Sequence, residues 1–310
     1  MRIDASQLVP MNTSRWRVLG GLIGVALLGV VLWRLVQYRQ PLAIDWRSLS
    51  WPLLAAALAC ACAAQFAFAS AWHGLVSRGS ADRWAPDMAR WSVSLAGKYL
   101  PGKVFQAALR LGAYHGSPDA AGAAPAMLRE MLLSLGAACA WVALQLAVSA
   151  DGPQVLFWPV LAAAIGLTAL AAPVFARLLA RLVAHLSRGR IATGTPLAWP
   201  RIVLAWCLQL SGYLLFGVAT WLLARAIAPT HPAGLLPCIG ALCFGGLAGV
   251  AAFVVPAGIG VREAALAWYL SAWMAAGPAA MVAIAARLCL SLAEFAAIAI
   301  GLLLLRRERR

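Results

Sequence analysis

Residues 97–105 read Gly-Lys-Tyr-Leu-Pro-Gly-Lys-Val-Phe and contain the only two lysines of the 310-residue chain, Lys98 and Lys103. The lysines flank Pro101 and Gly102, a pair that interrupts a helix. Charge at membrane depth is costly and usually faces a water-filled cavity or a polar ligand. Because the chain as a whole is 63% hydrophobic, this stretch predicts a polar site inside a membrane protein.

The composition predicts an all-α integral membrane protein. Only 11% of the residues are charged, the mean hydropathy is +0.83, and several apolar runs reach the roughly 20 residues that a spanning helix needs. The formal net charge is +15, but the basic residues lie mainly in short loops and at the two ends. That distribution indicates cytoplasmic loops and anionic lipid headgroups rather than nucleic acid. We expect a multi-pass protein of the bacterial inner (cytoplasmic) membrane.

The chain is predicted to form a single transmembrane domain over residues 1–310, built as a polytopic helix bundle. Two segments, at about 91–114 and 233–276, are interrupted by Pro and Gly, and each half is too short to cross a bilayer. We predict that both are broken or re-entrant hairpins. The alternatives are a surface amphipathic helix for the first and two spans for the second. Full spans are predicted at about 16–36, 51–76, 124–149, 155–180, 202–227 and 278–305.

The distribution of Lys and Arg sets the expected orientation. The regions at 77–90 and 177–201 and both chain ends are basic, whereas the turns at 150–153 and 228–233 carry no Lys or Arg. Both termini are therefore expected in the cytoplasm. The spans on either side of the first break and those on either side of the second then run in opposite senses. This arrangement is the signature of inverted repeats around a substrate site near the midplane.

The first break is predicted to bind substrate through its cations. Lys98 and Lys103 straddle the break, and Arg110 follows Lys103 by seven residues, an interval that returns to nearly the same helix face. Lysine acts as a point charge and arginine can hold two oxygens, so the three cations suit a phosphate group. The alternative is that these side chains reach out to the lipid headgroups.

A second break reads Pro-Ala-Gly-Ile-Gly-Val-Arg-Glu, beginning at Pro256. Gly258 and Gly260 permit backbone angles that other residues resist, and Arg262 and Glu263 then open a short helix. Glutamate near a helix N-terminus is favourable as a structural cap. The helix dipole does not explain an arginine at the N-terminus of a helix, so Arg262 is predicted to bind substrate.

The remaining intramembrane charges predict a charge network of Arg129, Glu130, Glu263, Arg287 and Glu294. Arg129 and Glu130 are adjacent on a helix and do not face each other, so each needs a different partner. Arg287 and Glu294 are seven residues apart and share a face. They are expected to pair with Glu263 and with either the arginine of the second break or Arg129. The alternative for Arg129 and Glu130 is a pair of charges near the membrane boundary.

Two motifs, at 97–104 and 256–266, resemble the hallmark motifs of the lysylphosphatidylglycerol synthase transmembrane region. Their order and separation also fit, and the resemblance covers nearly the whole chain. In bifunctional members of that family this region is a flippase that moves aminoacylated phosphatidylglycerol between leaflets, and a soluble synthase half follows it. Since the chain ends at Arg310, the resemblance implies a stand-alone member without the synthase domain. Ala257 departs from the family pattern, which has glycine there.

The sequence therefore predicts an inner-membrane lipid translocase and not an enzyme. Its expected substrate is an anionic or aminoacylated phospholipid, or a polyprenyl-phosphate-linked lipid. No nucleophile elbow, phosphate loop or zinc signature is present, and the seven cysteines lack metal-ligand spacing, so we expect no catalytic residue, metal or cofactor. Two alternatives stay open: a membrane enzyme acting on lipid phosphates, and a scaffold for a separately encoded synthase or glycosyltransferase. A homo-oligomer is also open.

Overall fold

The computed structural model describes residues 50–76, 83–99, 104–117, 119–149, 154–171, 197–230, 232–252 and 260–308. These residues are almost entirely helical and contain no strand, which confirms the all-α prediction. In chain order the helices are α1 (Trp51–Val76), α2 (Trp84–Ser94), α3 (Val104–Gly112), α4 (Ala120–Val148), α5 (Phe157–Leu170), α6 (Trp199–Ile227), α7 (Leu235–Ala251), α8 (Val261–Leu270) and α9 (Ala276–Glu308), with 3-10 turns at Leu95–Tyr99 and Gln154–Leu156.

Four of the helices are long and apolar enough to cross a membrane: α1, most of α4, α6 and nearly all of α9. Each of these stretches has between 26 and 32 residues, whereas about 20 suffice for the hydrocarbon core. They cover the predicted spans at 51–76, 124–149, 202–227 and 278–305. The chain is therefore a multi-pass membrane helix bundle. The predicted span at 16–36 and the end of the one at 155–180 lie outside the described residues.

The centre of the bundle is the packing of α1 on α6. The α1 face is lined by small residues that exclude solvent, among them Ala57, Ala61 and Ala64. On α6, a Cβ added at Gly212 would lie 2.7 Å from ring atoms of Phe68. Small residues let two membrane helices approach closely, and this glycine receives the largest side chain of the facing helix surface. The two helices thus form the axis around which the other elements pack.

The segment predicted at 91–114 folds back on itself. A Cβ added at Gly97 would lie 2.5 Å from the backbone Cα of Gln106, so the 3-10 turn and α3 are in backbone contact. The helical structure begins at Trp84, seven residues before the predicted start at 91. The extra turns carry Asp87, whose side chain is buried rather than solvated. We call residues 84–112 the first hairpin.

The segment predicted at 233–276 also folds back on itself, as α7 and α8. A Cβ added at Gly245 would lie 2.8 Å from the carbonyl oxygen of Arg262. One turn later, a Cβ added at Gly249 would lie 3.3 Å from the Cβ of Arg262. The two glycines therefore let the start of α8 lie directly against α7. We call residues 235–270 the second hairpin.

The neighbours of the first four helices correspond to those of the last four. Helix α2 packs on α9 as α7 packs on α4, and α1 packs on α9 as α6 packs on α4. Likewise α2 lies beside α1, and α7 lies beside α6. If α1 to α4 are matched in order with α6 to α9, each of these helix contacts in one group therefore corresponds to a contact in the other. Helix α5 has no counterpart in this exchange and packs on α4.

Candidate functional site

Glu294 is the buried carboxylate around which the site is arranged. It lies in the middle of α9 and is only 3% exposed. Its Oε1 accepts a hydrogen bond from Lys98 Nζ at 2.9 Å, and its Oε2 accepts one from the Tyr99 hydroxyl at 2.7 Å. The ring of Tyr99 stacks on Phe295 with centroids 5.0 Å apart. The tip of the first hairpin is therefore fastened to the middle of the last span.

Lys98 is the accessible partner in this ion pair. Its side chain is 37% exposed, against 4% for the carboxylate that it holds. An ammonium group has three donors, and one of them is used by Glu294. Since the Lys98 side chain is partly exposed, its remaining donors are not all taken up by Glu294. Lys98 is thus placed to bind a second anion or to exchange one anion for another.

Glu263 is held at the N-terminus of α8 by two contacts. Its Oε2 accepts a hydrogen bond from the backbone N–H of Gly260 at 2.7 Å, which is the capping arrangement expected from the sequence. Gly260 has a φ of 84°, in the left-handed region that glycine adopts without strain. The other oxygen, Oε1, lies 3.5 Å from Nε of Arg287 on α9. Glu263 therefore ties the second hairpin to the last span.

Among Lys98, Arg262 and Arg287, the cations of this site, Arg262 is the one without a counter-ion. It has no ion-pair partner within 4.0 Å among the described residues. Arg287 repels its guanidinium, and the carboxylates of Glu294 and Glu263 attract it from a distance. Arg262 is half-buried, and shielding an arginine from water in an apolar bundle without a partner is unfavourable. The position of Arg262 is therefore one that an external anion would stabilise.

A small cavity of about 10 Å³, enough for about one water molecule, lies beside these charges. Its polar walls are Arg262, Glu263 and Arg287, and the rest of its lining is apolar, from Leu242 to Leu290. With the adjacent pair of Lys98 and Glu294 the site contains three cations and two carboxylates. Three positive charges minus two negative charges leave one positive charge, carried by Arg262. The electrostatics of the described site thus match one singly charged anion.

Arg110 and Glu130 lie in a separate ion pair. The guanidinium of Arg110 is 3% exposed, contacts Glu130, and donates through Nε to Ser94 Oγ at 3.0 Å. It also lies 4.8 Å from the ring centroid of Trp72, and Trp91 donates to the same Glu130 at 2.7 Å. These contacts fasten α3 to α4. Lys98 and Arg110, which were predicted to bind one phosphate together, are thus held by different carboxylates, Glu294 and Glu130.

The predicted charge network is thus divided into separate pairs. Arg287 pairs with Glu263, as the sequence indicated, but Glu294 pairs with Lys98 and not with an arginine. Arg129 is buried in α4, and its Nε has no hydrogen-bond partner among the described residues. The prediction that Arg129 and Glu130 serve different partners agrees with this arrangement. Lys103, Pro101, Gly102, Pro256 and Gly258 lie outside the described residues.

One polar cluster was missed by the sequence reasoning. Asp87 is 0% exposed and accepts a hydrogen bond from the Tyr114 hydroxyl at 2.7 Å, while His73 Nδ1 lies 2.8 Å from its other oxygen. Trp72 Nε1 donates to the same hydroxyl at 2.8 Å. Burial, followed by the charge of Asp87, raises the pKa of Tyr114, so its hydroxyl stays protonated and donates. This cluster fastens the first hairpin to α1.

Among the described residues, no group of three His, Cys, Asp or Glu side chains is arranged to hold a metal ion. The side chains that remain for chemistry are the cations and carboxylates around Glu294 and Arg262. No family model, curated protein or solved structure matches this chain, so a function is assigned from these contacts and charges.

Proposed function

We propose that the protein is a flippase-like translocase of the bacterial inner membrane, which moves a lipid with an anionic phosphate headgroup between leaflets. The observation that carries the proposal is Arg262, a guanidinium without a counter-ion beside a cavity in an apolar bundle. Polar and charged residues at such depth typically mark a substrate pathway. Both nearby carboxylates already hold a cation, so the missing negative charge comes from the ligand.

The charge of the site favours a headgroup with one phosphate. The one surplus positive charge of the site, three cations against two carboxylates, balances one phosphodiester. Arginine binds phosphate oxygens in a bidentate manner, and Arg262 lies in the first turn of α8, where the helix dipole also favours an anion. Suitable substrates are an anionic or aminoacylated phospholipid, or a polyprenyl-phosphate-linked lipid. The acyl chains remain in the bilayer while the headgroup passes along these charges, and the small cavity beside Arg262 widens to admit it.

The two hairpins enter the membrane from opposite faces in this proposal and meet at α9. The exchange of neighbours between the two groups of four helices supports an internal repeat, and the basic loops support cytoplasmic termini. Helix α7 has 17 residues and is therefore about 26 Å long, short of the roughly 30 Å hydrocarbon core. The resemblance of both break motifs to the lysylphosphatidylglycerol synthase transmembrane region points to the same function.

The test is a transport assay in liposomes that contain either fluorescent phosphatidylglycerol or fluorescent phosphatidylcholine. The protein is expected to expose phosphatidylglycerol to an impermeant quencher faster than phosphatidylcholine. Arg262→Gln should slow this transport by about 10- to 100-fold, the equivalent of one lost charge-assisted contact. Arg225→Gln is the matched control, because Arg225 lies at the far end of α6 against Trp221.

Equal transport by Arg262→Gln and the parent would contradict the proposal. Full retention of function by a cell that carries Arg262→Gln, together with no transport by the parent in liposomes, would instead favour the scaffold alternative. In that case the intramembrane charges would be dispensable, and the protein would act through a separately encoded enzyme.

A further inference from the structure

We propose that Glu294 exchanges its partner between Lys98 and Arg262 during transport, and that the headgroup phosphate occupies whichever of these two cations Glu294 leaves. This inference deepens the proposed function and rests on it. It makes Glu294 an internal competitor of the substrate. It also gives the two hairpins complementary roles, since Lys98 belongs to the first and Arg262 belongs to the second.

Glu294 binds the ammonium of Lys98 in the way that a phosphate would. One of its oxygens accepts from an ammonium at 2.9 Å, and the other accepts from a phenol at 2.7 Å. Carboxylate and phosphate oxygens are bound by the same charge-assisted donors. The side chain of Lys98 remains 37% exposed while it holds Glu294, so another anion can approach it. The observed pair is therefore the self-occupied state of this half of the site.

Arg262 is available to form an ion pair with Glu294. The guanidinium has no counter-ion among the described residues, and Glu294 already attracts it. The cavity beside Arg262 extends to Leu290, one helical turn before Glu294. Cβ atoms one turn apart on a helix are about 5–6 Å from each other. A change of side-chain rotamer in Glu294 therefore redirects its carboxylate from the hairpin tip towards the cavity.

Glu263 cannot be the carboxylate that exchanges between the two cations. Although it is adjacent to Arg262 in sequence, one of its oxygens caps the Gly260 N–H and the other faces Arg287. Releasing it would leave a backbone donor unpaired and Arg287 without a counter-ion, both of which are unfavourable in a buried position. Glu294 is therefore the carboxylate that is free to move.

The exchange keeps the site electrically balanced at each stage. When Glu294 holds Lys98, the phosphate neutralises Arg262; when Glu294 holds Arg262, the phosphate neutralises Lys98. Two cations face two anions in both states, so neither state leaves a charge buried without a partner. The exchange also determines whether the tip of the first hairpin is bonded to α9, since Glu263 holds the second hairpin to α9 in both states. Substrate movement and the release of one hairpin are thereby the same event.

The test measures binding of dihexanoyl phosphatidylglycerol to the full-length protein, with dihexanoyl phosphatidylcholine as the zwitterionic reference. Arg262→Gln should weaken binding by about 10- to 100-fold, because Glu294 still competes for Lys98. The double variant Arg262→Gln/Glu294→Gln should recover binding at Lys98, yet still fail to transport. Glu294→Gln alone should bind at least about fivefold more tightly, because removing a competitor raises the fraction of competent sites. Its transport should be slower than that of the parent.

Glu130→Gln is the matched control, since it removes a carboxylate that also ties the first hairpin to a span. Its affinity for the probe should stay within about twofold of the parent, and an increase equal to that of Glu294→Gln would overturn the exchange. A further variant, Lys98→Met, covers the case in which Glu294→Gln does not fold. Here Glu294 would move to Arg262, and binding should be lost although Arg262 is intact; retained binding would overturn the inference.

The outcomes separate this inference from the proposed function. A parent that binds phosphatidylglycerol no better than phosphatidylcholine overturns both. A parent that prefers phosphatidylglycerol, combined with a double variant that binds no more than Arg262→Gln alone, overturns the exchange and leaves the translocase proposal standing.

Discussion

Gly97 and Gln106 are in backbone contact across the first hairpin: a Cβ on Gly97 would lie 2.5 Å from the Gln106 Cα and N atoms. Both partners in this contact are backbone atoms, which cannot move aside as the end of a flexible side chain can. We expect Gly97→Ala to force the 3-10 turn away from α3 and to displace Lys98 and Tyr99 from Glu294. Transport should fall by at least about tenfold, and the thermal unfolding midpoint should drop, since overpacking typically costs about 1–3 kcal/mol.

The control for this substitution is Gly74→Ala on α1, where an added Cβ meets nothing within 4 Å. That change should be neutral or stabilising by up to about 1 kcal/mol, because alanine is the better helix former. Similar losses in both variants, measured by thermal unfolding in the same detergent, would show that the hairpin contact is not the cause.

Neighbouring glycines on α7 provide a second prediction. A Cβ at Gly245 would lie 2.8 Å from the carbonyl oxygen of Arg262, whereas one at Gly246 meets nothing within 4 Å. Gly245→Ala should therefore push the start of α8 outwards, weaken phosphatidylglycerol binding and lower the unfolding midpoint. Gly246→Ala should leave both quantities at or above those of the parent. If the two variants bind the probe equally well, the position of Arg262 does not depend on this close approach.

A third prediction concerns Arg110, which the sequence placed among the substrate-binding cations. Since its guanidinium is buried against Glu130 and Trp72, Arg110→Met should reduce the free energy of unfolding by about 3–5 kcal/mol. The double variant Arg110→Met/Glu130→Gln should recover part of this loss, because no charge is then buried alone. Protein that remains folded should bind phosphatidylglycerol like the parent. Folded Arg110→Met that cannot bind the probe would restore Arg110 to the binding site.

The fourth prediction tests the inverted arrangement. In a background in which the seven native cysteines are replaced, single cysteines are introduced at His115 and Ser271, the exposed turns that follow α3 and α8. An impermeant thiol reagent should label the position at 115 from the cytoplasmic side and the position at 271 from the opposite side. Labelling of both from one side would contradict the inverted arrangement, because that arrangement places an odd number of crossings between the two positions.

The sequence predicted the long helices well because their physical cause is local. A run of apolar residues such as 51–76 specifies one helix regardless of its neighbours, and α1 has these same bounds. The second break was also readable in detail, since Gly260 and Glu263 lie three residues apart and form a cap within one turn. Information of this kind is contained in a short window of sequence.

The ion-pair partners of the charged side chains could not be predicted from a short window of sequence. Lys98 and Glu294 are separated by 196 positions, and their contact follows from the packing of the first hairpin on α9. The seven-residue interval predicts that Lys103 and Arg110 share a helix face, but it does not specify what that face contacts, which for Arg110 is Glu130. Asp87 belongs to a basic, polar stretch in the sequence, and only tertiary contacts bury it beside Tyr114. The spacing of residues in the sequence indicates which of them share a helix face, whereas tertiary packing determines which side chains that face contacts.

The contact between Phe68 and Gly212 has a mechanical consequence. An aromatic ring resting on a glycine is held by dispersion and shape, which impose no preferred direction as a hydrogen bond does. Helices α1 and α6 would thus turn slightly against each other at little energetic expense. The hairpins, by contrast, are held by directional polar contacts, to α9 through Glu294 and Glu263 and, for the first hairpin, to α1 through Asp87. A small rotation of α1 against α6 would therefore be resisted at these polar contacts and not at the ring and the glycine.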